Sequence, residues 1–193
     1  MSRTKEFEPD AALHAAMELF WCKGYEATSM RDLLEGMGIG RGSFYDTFGD
    51  KRSLFLSALD RFERTRTAWI PEALKENESP METIRYIFER TVDGLLGFEP
   101  RRGCLLANSA VELTSHDSEV ADKISRYVQR TEDAFAQTLQ RAHAAGGIPE
   151  YKNPRALARF LVNNLHGLRV MGRAGADRET LEDTVEVVLG ALR

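Results

Sequence analysis

The stretch Thr28–Lys51, T-S-M-R-D-L-L-E-G-M-G-I-G-R-G-S-F-Y-D-T-F-G-D-K, constrains the chain more than any other. Thr28 or Ser29 supplies an oxygen that can cap a helix start, and Met30, Leu33, Leu34 and Met37 then recur every three or four residues on one apolar face. Gly38-Ile39-Gly40 interrupts that helix, because glycine reaches backbone angles other residues avoid, and Phe44 and Phe48 follow one turn apart. Two short helices joined by a glycine turn make either a hairpin inside an ordinary bundle or a DNA-binding helix-turn-helix. In the second case Arg41, Gly42, Ser43, Tyr45 and Thr47 lie on or near the outward face. The alternating glycines 36, 38, 40 and 42 do not make a dinucleotide fingerprint. Gly38 and Gly40 are followed by Ser43 instead of a third glycine, and a helical pattern precedes them where a strand is needed.

The remaining segments also read as helices, so the fold class is all-α, with no strand pattern or internal repeat. Glu8-Pro9-Asp10 opens a first helix bearing Leu13, Ala16, Met17, Phe20 and Trp21, and Gly24 ends it. Asp50 caps a fourth, which carries Leu54, Phe55, Ala58, Leu59, Phe62 and Trp69 toward Pro71. After a polar break come Ile84, Ile87, Phe88, Thr91, Val92 and Leu95 on one face. A loop from Gly97 through Phe98 to Gly103 precedes a helix from Cys104 to Leu113. Ser118 starts a long helix with Tyr127, Phe135 and Leu139 on one side, stopped by Ala145-Gly146-Gly147-Ile148-Pro149. Asn153-Pro154 opens another with Leu157, Leu161, Leu165 and Leu168, residues 172–177 turn, and Leu181, Val185, Val188, Leu189 and Leu192 mark the last.

Phe20-Trp21-Cys22-Lys23-Gly24-Tyr25-Glu26-Ala27-Thr28-Ser29 and the segment from Gly38 to Lys51 together resemble the amino-terminal DNA-binding domain of the TetR family of transcriptional regulators. The resemblance covers roughly residues 7–60 and rests on F-x-x-x-G-Y-x-x-T-[ST] followed by G-x-x-x-G-[ST]-x-Y-x-x-F-x-x-K. Leu34 stands where the family usually has alanine, and Gly40 where a Ser or Thr commonly caps the recognition helix. The resemblance implies a DNA-binding domain over residues 1–52 and an effector-binding and dimerisation domain over 53–193. It also implies that Thr28, Ser29, Tyr45 and Lys51 hold phosphates while Arg41, Gly42 and Ser43 approach base edges. The fourth helix then joins the two domains, with Phe62, Trp69, Phe88, Leu95, Phe98, Cys104 and Phe135 as candidate walls of an effector pocket. The last two helices, through Leu161, Leu165, Val185 and Leu189, form a four-helix interface in a homodimer. The alternative for those residues is the monomer core.

Charge limits how DNA is held. The formal net charge is −4, and residues 1–52 carry seven Lys or Arg against nine Asp or Glu. A few placed contacts and dimerisation must therefore supply affinity, with the acidic groups turned away from phosphate. No apolar run approaches 18 residues and Met1–Asp10 is polar, so no membrane span or signal peptide is expected and the location is cytoplasmic. Cys22 and Cys104 make neither a disulfide framework nor a zinc pattern.

His14, His116, His143 and His166 are scattered, no catalytic or phosphate-binding motif occurs, and neither cofactor nor metal is expected. His116 beside Asp117 and Glu119 is either a metal corner or a solvated loop. Cys104 follows Arg101, Arg102 and Gly103 at a helix start, where dipole and cations stabilise a thiolate. Arg102–Asn108 resembles a G-C-L motif in a TetR branch that includes sensors of reactive electrophiles and aldehydes. Cys104 is thus either a sensor thiol or a small buried hydrophobe. The expectation is a repressor that binds a palindromic double-stranded operator as a homodimer and is released by a small-molecule effector, an electrophile if Cys104 is reactive. A ligand-independent architectural DNA binder and a small helical enzyme are the alternatives.

Overall fold

The computed structural model describes residues 7–76, 79–97 and 102–193, and among these every regular element is helical. Helix α1 (Pro9–Lys23) starts with proline in its first turn, where the missing N–H leaves no bond unmade. Helix α2 (Met30–Met37) is capped by Ser29, which accepts from the Asp32 N–H, while the Asp32 carboxylate accepts from the Ser29 N–H at 2.9 Å. Gly38, with φ 65°, reverses the chain in the left-handed region. Helix α3 (Arg41–Phe48) follows with Gly40 as its N-cap and no side-chain capping bond, which leaves its first N–H groups open.

Asp50 caps α4 (Lys51–Phe62) by accepting from the Ser53 N–H at 2.7 Å. The single connector expected from Asp50 to Pro71 is in fact divided. Glu63–Thr67 forms a π turn, marked by the Ala68 N–H donating to the Glu63 carbonyl at 2.9 Å, and α5 (Trp69–Glu76) begins beyond it. Trp69 therefore opens α5, and Pro71 lies inside its first turn.

Helices α6 (Pro80–Leu96), α7 (Leu105–Leu113), α8 (Ser118–Ala144), α9 (Pro154–Ala174) and α10 (Arg178–Gly190) complete the chain. Asp117, Asn153 and Asp177 cap α8, α9 and α10 through their side chains. Helix α9 continues past Gly172, which is buried against Leu95, so the expected turn begins later.

Two apolar clusters hold these helices. The first joins Met17, Phe20, Leu33, Phe44, Phe55 and Leu59 to Cys104, Leu105, Leu113, Ile124 and Tyr127, so the amino-terminal core runs without a gap into α7 and the start of α8. The second packs α5, α6, α9 and α10 around the later half of α8. Leu161, Leu165, Val185 and Leu189 belong to this second cluster, with exposures of 0%, 0%, 3% and 5%. Their choice as interface residues is corrected here: side chains already removed from water inside the protomer have almost no area left to bury against a partner. No helix among the described residues is long and apolar enough to cross a membrane.

Candidate functional site

The outward face of the helix-turn-helix is built by α3 and the residues flanking it. Arg41, Gly42 and Ser43 are exposed at its open first turn, Tyr45 is 43% exposed, and nothing lies within 4 Å of where a Cβ on Gly40 or Gly42 would stand. A helix start with free N–H groups and no acidic residue in its first turn attracts anions. The Arg41 guanidinium sits 5.9 Å from the Tyr45 ring, and Lys51 Nζ 4.3 Å from the Tyr25 ring, so both cations are steadied by aromatic faces. One acidic neighbour is occupied elsewhere: Lys23 and then Ser29 hold the Asp32 carboxyl far below the usual range.

Thr28 departs from expectation. Its side chain is fully buried and its hydroxyl donates to the Gly24 carbonyl, so it shapes the turn after α1 and is unavailable to a phosphate. Ser29 is the residue that caps α2, and it remains exposed.

The helix-turn-helix unit is tied to the rest by several contacts, among them Glu18 with Arg66 and Arg102 and the following three. The Glu112 carboxylate on α7 accepts from the Tyr25 and Glu26 N–H groups at 3.1 and 2.8 Å. Arg52 makes a two-pronged pair with Asp117, at 2.8 and 2.9 Å, and also reaches Glu119. That arrangement accounts for the acidic residues beside His116 as a cap and an ion pair, and among the described residues no group of three His, Cys, Asp or Glu side chains is placed to hold a metal. Trp21 on α1 donates its Nε1–H to the Gly103 carbonyl at 3.2 Å.

Behind these ties lies a cavity of about 330 Å³ between α1, the π turn, α6, α9 and the Gly103-Cys104 segment. Four of the expected pocket residues, Phe62, Trp69, Leu95 and Cys104, line it. Phe88 and Phe135 do not; both are wholly buried in the second cluster and are plain core. Phe98 lies outside the described residues. Thr65, Arg66 and Thr67 of the π turn form part of the wall, so a bound molecule would touch the one irregular segment between α4 and α5.

Comparison with known proteins agrees with this arrangement in both halves. The family model described as "Bacterial regulatory proteins, tetR family" matches residues 12–58, and "Tetracyclin repressor-like, C-terminal domain" matches residues 80–188. The chain is 40% identical to the uncharacterized HTH-type transcriptional regulator YezE of Bacillus subtilis (strain 168) over the full length of both. The chain belongs to the TetR family.

Among other TetR-type relatives, the HTH-type transcriptional repressor ComR of Escherichia coli (strain K12) is 31% identical over 93% of this chain and 86% of its own. A cysteine mutant of the TetR family regulator CifR, solved with 26-base-pair operator DNA, superposes with a TM-score of 0.88 at 30% identity, covering 99% of this chain and 100% of that one. As a TetR-family member the chain is a DNA-binding helix-turn-helix transcriptional regulator and not an enzyme.

The sequence reading of this TetR chain missed Trp21, Arg66, Arg90, Thr91 and Arg169 as cavity wall. Arg169 left a visible signal: it falls on the buried stripe of α9 with Leu161, Val162, Leu165 and Leu168, a charged residue at a core-facing position. Its Nη1 donates to the Tyr127 hydroxyl at 3.2 Å and lies 3.8 Å from the Cys104 sulfur. Burial and the nearby Arg169 cation hold His166 down to about 4, so that imidazole is neutral near pH 7.

Proposed function

We propose that this regulator is a cytoplasmic repressor that binds a palindromic operator as a homodimer and leaves it when a small effector enters the cavity beside the π turn. The observation that carries the reading is the position of that cavity. Its wall includes Trp21 on α1, Phe62 at the end of α4 and the π turn that follows, so occupancy acts on the helices that carry α3. An effector shifts the balance only by its difference in affinity between DNA-bound and released arrangements. A π turn, with its looser hydrogen bonding, is a favourable place to store two arrangements. An electrophile is one effector class that this wall admits: Cys104 lines the cavity beside Arg169, and covalent bulk added to its thiol would hold the released arrangement.

The dimer is assigned to the outer faces of α9 and α10. Phe160, Val170 and Met171 are 37%, 56% and 49% exposed along one stripe of α9 with Gly167 between them, and Val187 on α10 is 73% exposed. Apolar exposure on adjacent helices, repeated at helical spacing, is what a two-fold helix pairing covers.

Operator DNA selected by the purified protein supplies the probe for the test. Lys51→Ala should weaken all operator variants alike, and Arg41→Ala should relax preference at one position. Release of that operator by an electrophile such as a quinone is then compared between Cys104→Ser and the parent, both carrying Cys22→Ser because Cys22 is exposed. Equal release in the two proteins rejects the thiol's role and leaves a reversible ligand.

A further inference from the structure

The cavity wall carries three arginines, Arg66, Arg90 and Arg169. Arg169 is 7% exposed, and its guanidinium stays charged at any physiological pH because its intrinsic pKa is above about 12. Its two partners, the Tyr127 hydroxyl and the Cys104 sulfur, both meet Nη1; Nε and Nη2 have none among the described residues. A buried cation without a counter-charge is strongly unfavourable and calls for an anion. No Asp or Glu lines the wall among the described residues. Arg66 shares Glu18 with Arg102, while Arg90 lies 4.1 Å over the Trp69 ring and, among the described residues, bonds the Tyr86 hydroxyl at 3.1 Å. Phe62, Trp69 and Leu95 supply apolar surface to the same wall.

We infer that this cavity is a site for a small organic monoanion, a carboxylate whose oxygens are received by Arg169 and whose apolar body lies against Phe62, Trp69 and Leu95. The inference rests on the reading of the same cavity as the effector's and adds the class of molecule it takes. A planar guanidinium with free N–H groups matches a carboxylate in two-pronged geometry, and the mixed wall accommodates a body that free phosphate lacks. A volume of about 330 Å³ sits at the small end of ligand pockets and sets the size at a single ring or a short chain.

Both tryptophans of the chain, Trp21 and Trp69, line the cavity, so intrinsic fluorescence reports its occupancy directly. Benzoate, with butyrate for a shorter body, is titrated against the full-length protein beside the neutral isosteres benzamide and butyramide and beside inorganic phosphate. A saturable emission change with at least one carboxylate, about tenfold or more weaker for its amide and for phosphate, is the expected result. Arg169→Met keeps the volume without the charge and should abolish the preference for acid over amide, with its melting transition confirming that it folds. Equal affinity for acid and amide, unchanged carboxylate binding in folded Arg169→Met, displacement by phosphate at equal potency, or no emission change with either carboxylate overturns the proposal. Operator release is measured separately. A carboxylate that binds without releasing operator upholds the anion site and removes its role as the effector's entry. Release by a neutral electrophile with no carboxylate bound does the reverse.

Discussion

Replacing Gly24 with alanine perturbs the junction between the DNA-facing helices and the rest of the molecule at a single atom. Its φ of 87° and ψ of 173° lie in a region essentially closed to side chains. A Cβ there would also stand 2.9 Å from a Glu112 carboxylate oxygen. That side chain is flexible and can withdraw, but it then gives up the Tyr25 and Glu26 N–H groups that it holds. Backbone strain at such a site costs ~2 kcal/mol. Two partly exposed hydrogen bonds to a carboxylate add ~2 kcal/mol. Gly24→Ala should therefore lower stability by ~4 kcal/mol, a large share of the 5–15 kcal/mol typical, as an order of magnitude, of folded domains. A cycle with Glu112→Ala separates the two parts. With no carboxylate to displace, Gly24→Ala costs only the strain, which gives a coupling of ~2 kcal/mol. Urea unfolding at fixed protein concentration supplies the four free energies, and operator titration reads the same junction through function. An equal cost in both backgrounds would refute the Glu112 contact as its cause, and a neutral substitution in both would refute the strain.

Two further expectations concern assembly and acidity. Val187→Glu or Met171→Glu should split the dimer and abolish operator binding with little loss of helix, read by sedimentation and circular dichroism, whereas Leu165→Asp, wholly buried, should unfold the second cluster by burying an unpaired charge. His166, held down to about 4 against 6.5 in the unfolded chain, gives up its proton on folding, and neither ring nitrogen has a hydrogen-bond partner among the described residues. The unfolded state then binds more protons between these values, so the contribution is complete above pH 6.5 and is lost as pH falls toward 4, on the order of 3 kcal/mol in all. His166→Phe should flatten that loss in denaturant midpoints measured from pH 7.5 to 4.5; an unchanged slope would count against the burial of the imidazole.

Local chemistry made much of this molecule legible before any tertiary contact. Ser29 with Asp32, Asp50, Asn153-Pro154 and the glycines at 24 and 38 fix helix starts and stops through bonds or backbone angles spanning four residues or fewer, so their spacing alone located the elements. The motif from Phe20 to Lys51 likewise carried the helix-turn-helix, because the residues exposed on α3 flank the buried Phe44 on both sides in sequence.

What the tertiary structure decided is which side of an amphipathic helix meets which neighbour. Helix α9 bears two apolar stripes, Leu161-Leu165-Leu168 and Phe160-Val170-Met171, and only packing against α6, α8 and α10 shows that the first is spent inside the protomer. Thr28 reads as a surface cap until the end of α1 folds over it and takes its hydroxyl. The cavity unites residues from positions 21 to 169, and the uncompensated charge of Arg169 exists only because those segments close around it. Helix propensity and capping act along the chain and are written in it. Burial is a property of pairs of surfaces, and the second surface comes from far away in sequence.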